Sequence, residues 1–71
     1  MMDERGKKDF SQSVDNAIRV LNCFVDREEC GISEFSRELS LSKAAVSRLV
    51  ASLERNQFLL KSNATGKYRL G

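Results

Sequence analysis

Ser42, Lys43, Ala44, Ser47 and Arg48, all within seven positions of a 71-residue chain, carry the chemistry that stands out in this sequence. An arginine can donate two parallel hydrogen bonds to guanine O6 and N7, a serine hydroxyl can reach base edges, and an alanine methyl can rest on a thymine methyl. Ser42 is placed to cap a helix, leaving that helix's first amides and positive dipole end available to a phosphate. Lys43 adds a second, screened phosphate contact. Val46, Leu49, Val50 and Leu53 follow the i, i+3, i+4, i+7 spacing of a helix buried on one side. Ala44, Ser47, Arg48, Ala51 and Arg55 then face outward, and none is acidic. A merely solvated helix face, the competing account, would usually carry several carboxylates.

That helix needs a frame to aim it. Phe35 and Leu39, four apart, mark a shorter helix just before it, with Ser33 as its N-cap, and Ser40-Leu41-Ser42 breaks the pattern between the two. Short helix, tight turn and longer helix make a helix-turn-helix, whose second helix normally enters the DNA major groove. Asn56-Gln57 ends the long helix, asparagine being the residue suited to a left-handed C-terminal conformation. Beyond it, residues 58–62 and 67–70 flank Asn63-Ala64-Thr65-Gly66, the pattern of a hairpin with a four-residue turn. Tyr68 and Leu70 alternate with Lys67 and Arg69, giving one side to the core and the other to solvent or phosphate. A basic hairpin after a recognition helix is a wing, whose tip can lie along the DNA backbone or enter the minor groove.

Upstream, Ser13 is expected to cap a helix reaching about Val25, with Val14, Ala17, Ile18, Leu21, Phe24 and Val25 as its apolar stripe. Val20 and Cys23 fall outside that stripe, as a candidate contact with a second subunit. Asp26–Glu29 reads as a solvated charged loop, and Ile32 as a very short strand after Gly31. Residues 1–12 lack periodicity and read as a flexible N-terminal arm, in which Asp3, Glu4 and Asp9 offset Arg5, Lys7 and Lys8.

Composition narrows the function. A content of 41% hydrophobic and 31% charged residues suits one small globular domain, mainly α with a small β-hairpin, over residues 13–71. The net charge of +2 is uneven: residues 1–38 sum to −3 and residues 39–71 to +5. The basic half contains the proposed recognition surface, which points to a polyanionic partner. With two cysteines and no histidine, the chain is too poor in ligands for a zinc site, so Cys23 and Cys30 are expected as reduced thiols and no cofactor or metal is implied. No apolar run approaches a membrane span and no secretion signal opens the chain, so a cytoplasmic protein without membrane contact is expected.

Three segments in this order, SVDNAIRVLNCF, GISEFSRELSLSKAAVSRLVASLERNQFL and TGKYRLG, resemble the N-terminal winged helix-turn-helix domain of IclR-type bacterial transcription regulators. The resemblance covers Ser13 to Gly71. It implies three helices with a two- or three-stranded antiparallel wing, and a dimer or dimer of dimers on a palindromic double-stranded operator. It places Ser42, Lys43, Ala44, Ser47 and Arg48 at the DNA, with the wing around Lys67 and Arg69 on the backbone. It also implies a larger C-terminal domain that binds a small-molecule effector, so a chain stopping at Gly71 is expected to be the DNA-binding fragment. Ser40 stands where the family's turn usually has glycine, and Ala45 and Ser47 depart from the residues common in its recognition helix.

Three other readings compete. An enzyme lacks support, for there is no glycine-rich phosphate loop and no nucleophile with an evident base. A winged helix used for protein contact should expose an apolar patch on the residue 43–55 face, which this sequence does not. A MarR-type regulator would share the DNA-binding mechanism with a different dimer architecture.

Overall fold

The computed structural model describes residues 10–71. Ser11 opens the first helix, α1, over Gln12–Asn22: its backbone is extended and its hydroxyl accepts a hydrogen bond from the Val14 amide at 3.2 Å. The cap thus falls two residues before the expected Ser13. Beyond Asn22 the amides of Cys23, Phe24 and Val25 bond three residues back, a tightened last turn that ends the helix short of Val25. The arm residues Arg5, Lys7 and Lys8, up to residue 9, lie outside the described residues.

The buried face of α1 differs from the expected stripe. Val20 is fully buried and Cys23 nearly so, which removes both as a candidate subunit contact, while Val14, Ile18 and Val25 are exposed. Ala17, Leu21 and Phe24 do face the core. The helix satisfies two overlapping apolar registers, 14-17-18-21 and 17-20-21-24, and packing against the other two helices selects the second.

Cys30 pairs with Tyr68 through both backbone bonds, each 2.9 Å, and adds a one-residue third strand to the wing. Ile32, expected as that strand, is instead the first residue of α2, Ile32–Leu39, and Gly31 rather than Ser33 is its N-cap. Glu34 explains the shift: its carboxylate accepts the Gly31 amide at 2.7 Å, so the helix start is capped from inside the first turn.

The turn between α2 and α3, Lys43–Arg55, closes on a left-handed Ser40 (φ 56°, ψ 44°), with the Leu41 amide reaching back to the Ser36 carbonyl. The same closure ends α3. There the left-handed residue is Gln57 (φ 69°), not Asn56, and the Phe58 amide bonds the Leu53 carbonyl at 2.8 Å. Both positions suit glycine, since a side chain there crowds the following carbonyl. Ser40→Gly is expected to stabilise the domain by about 1 kcal/mol, raising the thermal midpoint by about 4–8 °C. A midpoint that stays put or falls in a calorimetric melt would rule out strain at Ser40.

α3 is the central element, packing against α1, α2 and the hairpin. Its Val46, Val50 and Leu53 join Val20, Phe35 and Leu59 in a single core. The hairpin pairs β1, Leu59–Lys61, antiparallel with β2, Tyr68–Leu70, in the register Leu59 to Leu70 and Lys61 to Tyr68. Its turn is the expected Asn63–Gly66, closed by a Ser62–Lys67 backbone bond of 2.8 Å, with Gly66 left-handed at φ 76°. Tyr68 is half-buried as expected. Leu70, expected on the same core side, remains 53% exposed at the end of β2, although its cross-strand partner Leu59 is fully buried.

Candidate nucleic-acid interface

Helix α3 is held from its start. The Ser42 hydroxyl accepts the Ala45 amide at 3.1 Å, the cap expected from sequence. With Val46, Val50 and Leu53 fixed inward and Leu49 half-buried, helical geometry leaves Lys43, Ala44, Ser47, Arg48 and Ala51 exposed along the opposite side. The first ten residues of the helix contain no carboxylate, and the sole acid, Glu54, sits in its last turn. Among the described residues no ion pair engages Lys43, Arg48 or Arg55. The large apolar side chains left exposed lie on α1, the loops and the hairpin, and none is on α3. This face is therefore cationic, small-residued and close to the helix axis.

Arg48 occupies the flank nearer α1. It lines a shallow cleft with Ser13, Asn16 and Ser52, polar residues that the sequence reading left out of the site. Only Ser52 carried a local signal, being four positions along α3 from Arg48. Ser13 and Asn16 come from a different helix, and only tertiary packing brings them there.

The wing residues are less free than their sequence pattern implies. Lys67 and Arg69 share the outward face of the hairpin with Leu60, opposite the face of Leu59 and Tyr68. Lys67 forms an ion pair of 3.4 Å with Glu34, and its aliphatic stem lies over Gly31. Thr65 donates its hydroxyl to Glu29 at 3.2 Å and accepts the Lys67 amide at 3.1 Å. Glu29, expected as part of a solvated loop, therefore holds the wing turn. Arg69 stands over the α1–α2 connection beside Arg27 and Glu28. The structure thus gathers Ser42, Lys43, Ala44, Ser47 and Arg48 on one helix, and Lys67 and Arg69 on a separate hairpin.

The Gly31 amide first, and then the Lys67 ammonium, hold the Glu34 carboxyl below its ordinary pKa. Its contribution to stability is present above the ordinary carboxylate range and is lost as the pH falls through that depressed value. Burial is the main cause that pushes both cysteine thiols up. They are free thiols in the core, protonated and weakly nucleophilic at neutral pH. Among the described residues no cluster of ligands could hold a metal ion, and no helix is long and apolar enough to cross a membrane.

Three helices, a tight turn before the third and an antiparallel hairpin after it define a winged helix-turn-helix, mainly α, with a basic face on its recognition helix. Residues 13–62 match the family model of the IclR helix-turn-helix domain, and the chain belongs to that family. It is 33% identical over 61 residues to the HTH-type transcriptional regulator XynR of Escherichia coli K12, covering 84% of this chain and 24% of that protein. The crystal structure of an IclR family transcriptional regulator from Brucella abortus matches with a TM-score of 0.83 and 29% identity, over 94% of this chain and 26% of that one. A putative IclR transcriptional regulator from Silicibacter sp. TM1040 matches with a TM-score of 0.78 and 33% identity, over 83% of this chain and 24% of that one. The chain thus spans about a quarter of the length of these relatives.

Proposed function

We propose that this domain binds double-stranded DNA sequence-specifically, as the operator-reading part of a cytoplasmic transcriptional regulator without catalytic activity of its own. The observation that carries this reading is the exposed face of α3, free of acids over its first ten residues, whose cations form no ion pair among the described residues. In this reading α3 lies in the major groove, Arg48 and Ser47 read base edges, and Ala44 makes apolar contact with a thymine methyl. Lys43 and the α3 N-terminus capped by Ser42 engage phosphates, as do Lys67 and Arg69 from the wing. Two copies read the half-sites of a palindrome about 34 Å apart. The full regulator is a homo-oligomer whose small-molecule effector binds a domain outside this chain. The use of a winged helix for protein contact is less well supported, since no large apolar side chain is exposed on α3.

Selection of the purified chain against a randomised duplex pool, followed by binding across a salt series, tests the reading. A steep fall in affinity with salt and enrichment of a palindromic sequence are expected. Absence of association even at low salt would overturn it. Within that series, Lys67→Ala is expected to weaken all duplexes alike and to reduce the salt slope by about one. Loss confined to the selected sequence would instead make Lys67 a base reader.

A further inference from the structure

Lys67 is the wing cation nearest the turn, and it is already engaged within the protein. The Glu34 Oε1 atom accepts the Gly31 amide at 2.7 Å and faces the Lys67 Nζ at 3.4 Å. One carboxylate therefore caps α2 and engages the wing lysine at the same time. The two side chains remain 46% and 35% exposed, for Lys67 and Glu34 respectively, so a third group can reach the ammonium. An ammonium has three donors, and Glu34 occupies one direction only. The lysine stem runs beside Gly31, where even an added Cβ would stand an ordinary contact distance, 3.5 Å, from its Cγ. The Nζ can thus swing about its terminal bonds while the wing stays in place. The wing is separately fastened by the Thr65–Glu29 hydrogen bond and the Cys30–Tyr68 bridge, so it does not depend on the ion pair for its position.

From this geometry we infer that Glu34 competes with DNA for the wing: it holds the Lys67 ammonium on the protein in the free domain and yields it to a phosphate on the duplex. The inference rests on the DNA-binding reading above. The exchange replaces one oxyanion by another at the same ammonium. Glu34 is not stranded by it, because the Gly31 amide still satisfies its carboxylate and water reaches it. The cost is the loss of one half-exposed ion pair, a weak interaction that lowers affinity by the same factor for every sequence.

A double-mutant cycle on the 71-residue chain tests this against the selected duplex and a scrambled one. Glu34→Gln keeps an acceptor for the Gly31 amide and removes the charge that competes with phosphate. It is expected to raise affinity about two- to fivefold on both duplexes. In a Lys67→Ala background the same change should give less than about half that gain, with thermal melts establishing that all variants are folded. An equal gain in both backgrounds would mean that Glu34 acts only through general charge repulsion, and would overturn the inference. Unchanged affinity after Glu34→Gln would overturn it as well. If the unmodified chain binds no duplex at any salt concentration, the DNA-binding reading and this inference fall together, which separates that failure from the other two.

Discussion

Phe35→Ala is expected to leave the chain largely unfolded at room temperature. Phe35 is fully buried at the centre of the core, and its ring meets that of Phe24 edge-on with centroids 5.8 Å apart. Truncation removes the transfer free energy of the ring, leaves a cavity, and deletes an aromatic pair of a type that contributes about 0.5–1.5 kcal/mol. The combined loss is about 3–5 kcal/mol. A core in a chain of this size supplies about the same amount in total, so the variant has little stability left. Circular dichroism through a urea titration measures it, with Phe58→Ala as the comparison. Phe58 is 55% exposed, and its truncation should cost less than about 1 kcal/mol. Similar losses at the two positions would contradict the placement of the core.

Arg48→Ala is expected to lower affinity for the selected operator by about 1–3 kcal/mol, roughly ten- to a hundredfold, and to relax preference at one or two base pairs. The effect is large because a guanidinium supplies two parallel donors in fixed geometry, which neither water nor a neighbouring side chain replaces. Arg48→Lys separates charge from geometry. A lysine retains the attraction to the duplex but cannot form the planar fork, so the salt slope should persist while base preference falls. Competition binding between the operator and single-base variants reads both quantities. Loss spread evenly over all sequences would assign Arg48 to the phosphate backbone instead.

The two predictions draw on different parts of the sequence's legibility. The stripe Val46, Leu49, Val50 and Leu53 has a single apolar register on α3, so its spacing alone determines which side faces outward, and the structure agrees. The Ser42 cap, the four-residue turn at Asn63–Gly66 and the order of elements are likewise local properties of backbone and side chain. Helix α1 is different. Its apolar residues support two registers, and buried Val20 with exposed Val14 follows from where α2 and α3 press against it. Propensity also misplaces ends of all three helices: intrinsic preference favours Ser13, Ser33 and Asn56, where the structure uses Ser11, Gly31 and Gln57.

The outward face of α3 was thus determined by the sequence itself, because helix periodicity, capping and charge are read over windows shorter than fifteen residues, and the family was legible in the order of three segments between Ser13 and Gly71. What only the tertiary structure decided was the wing's state. Lys67 looks like a free phosphate contact in sequence, yet it is paired with Glu34 from a helix formed much earlier in the chain. Glu29 and Thr65 meet across a similar separation. No local spacing encodes such contacts, since they join segments more than thirty residues apart that meet where the Cys30–Tyr68 bridge sets the hairpin beside the start of α2.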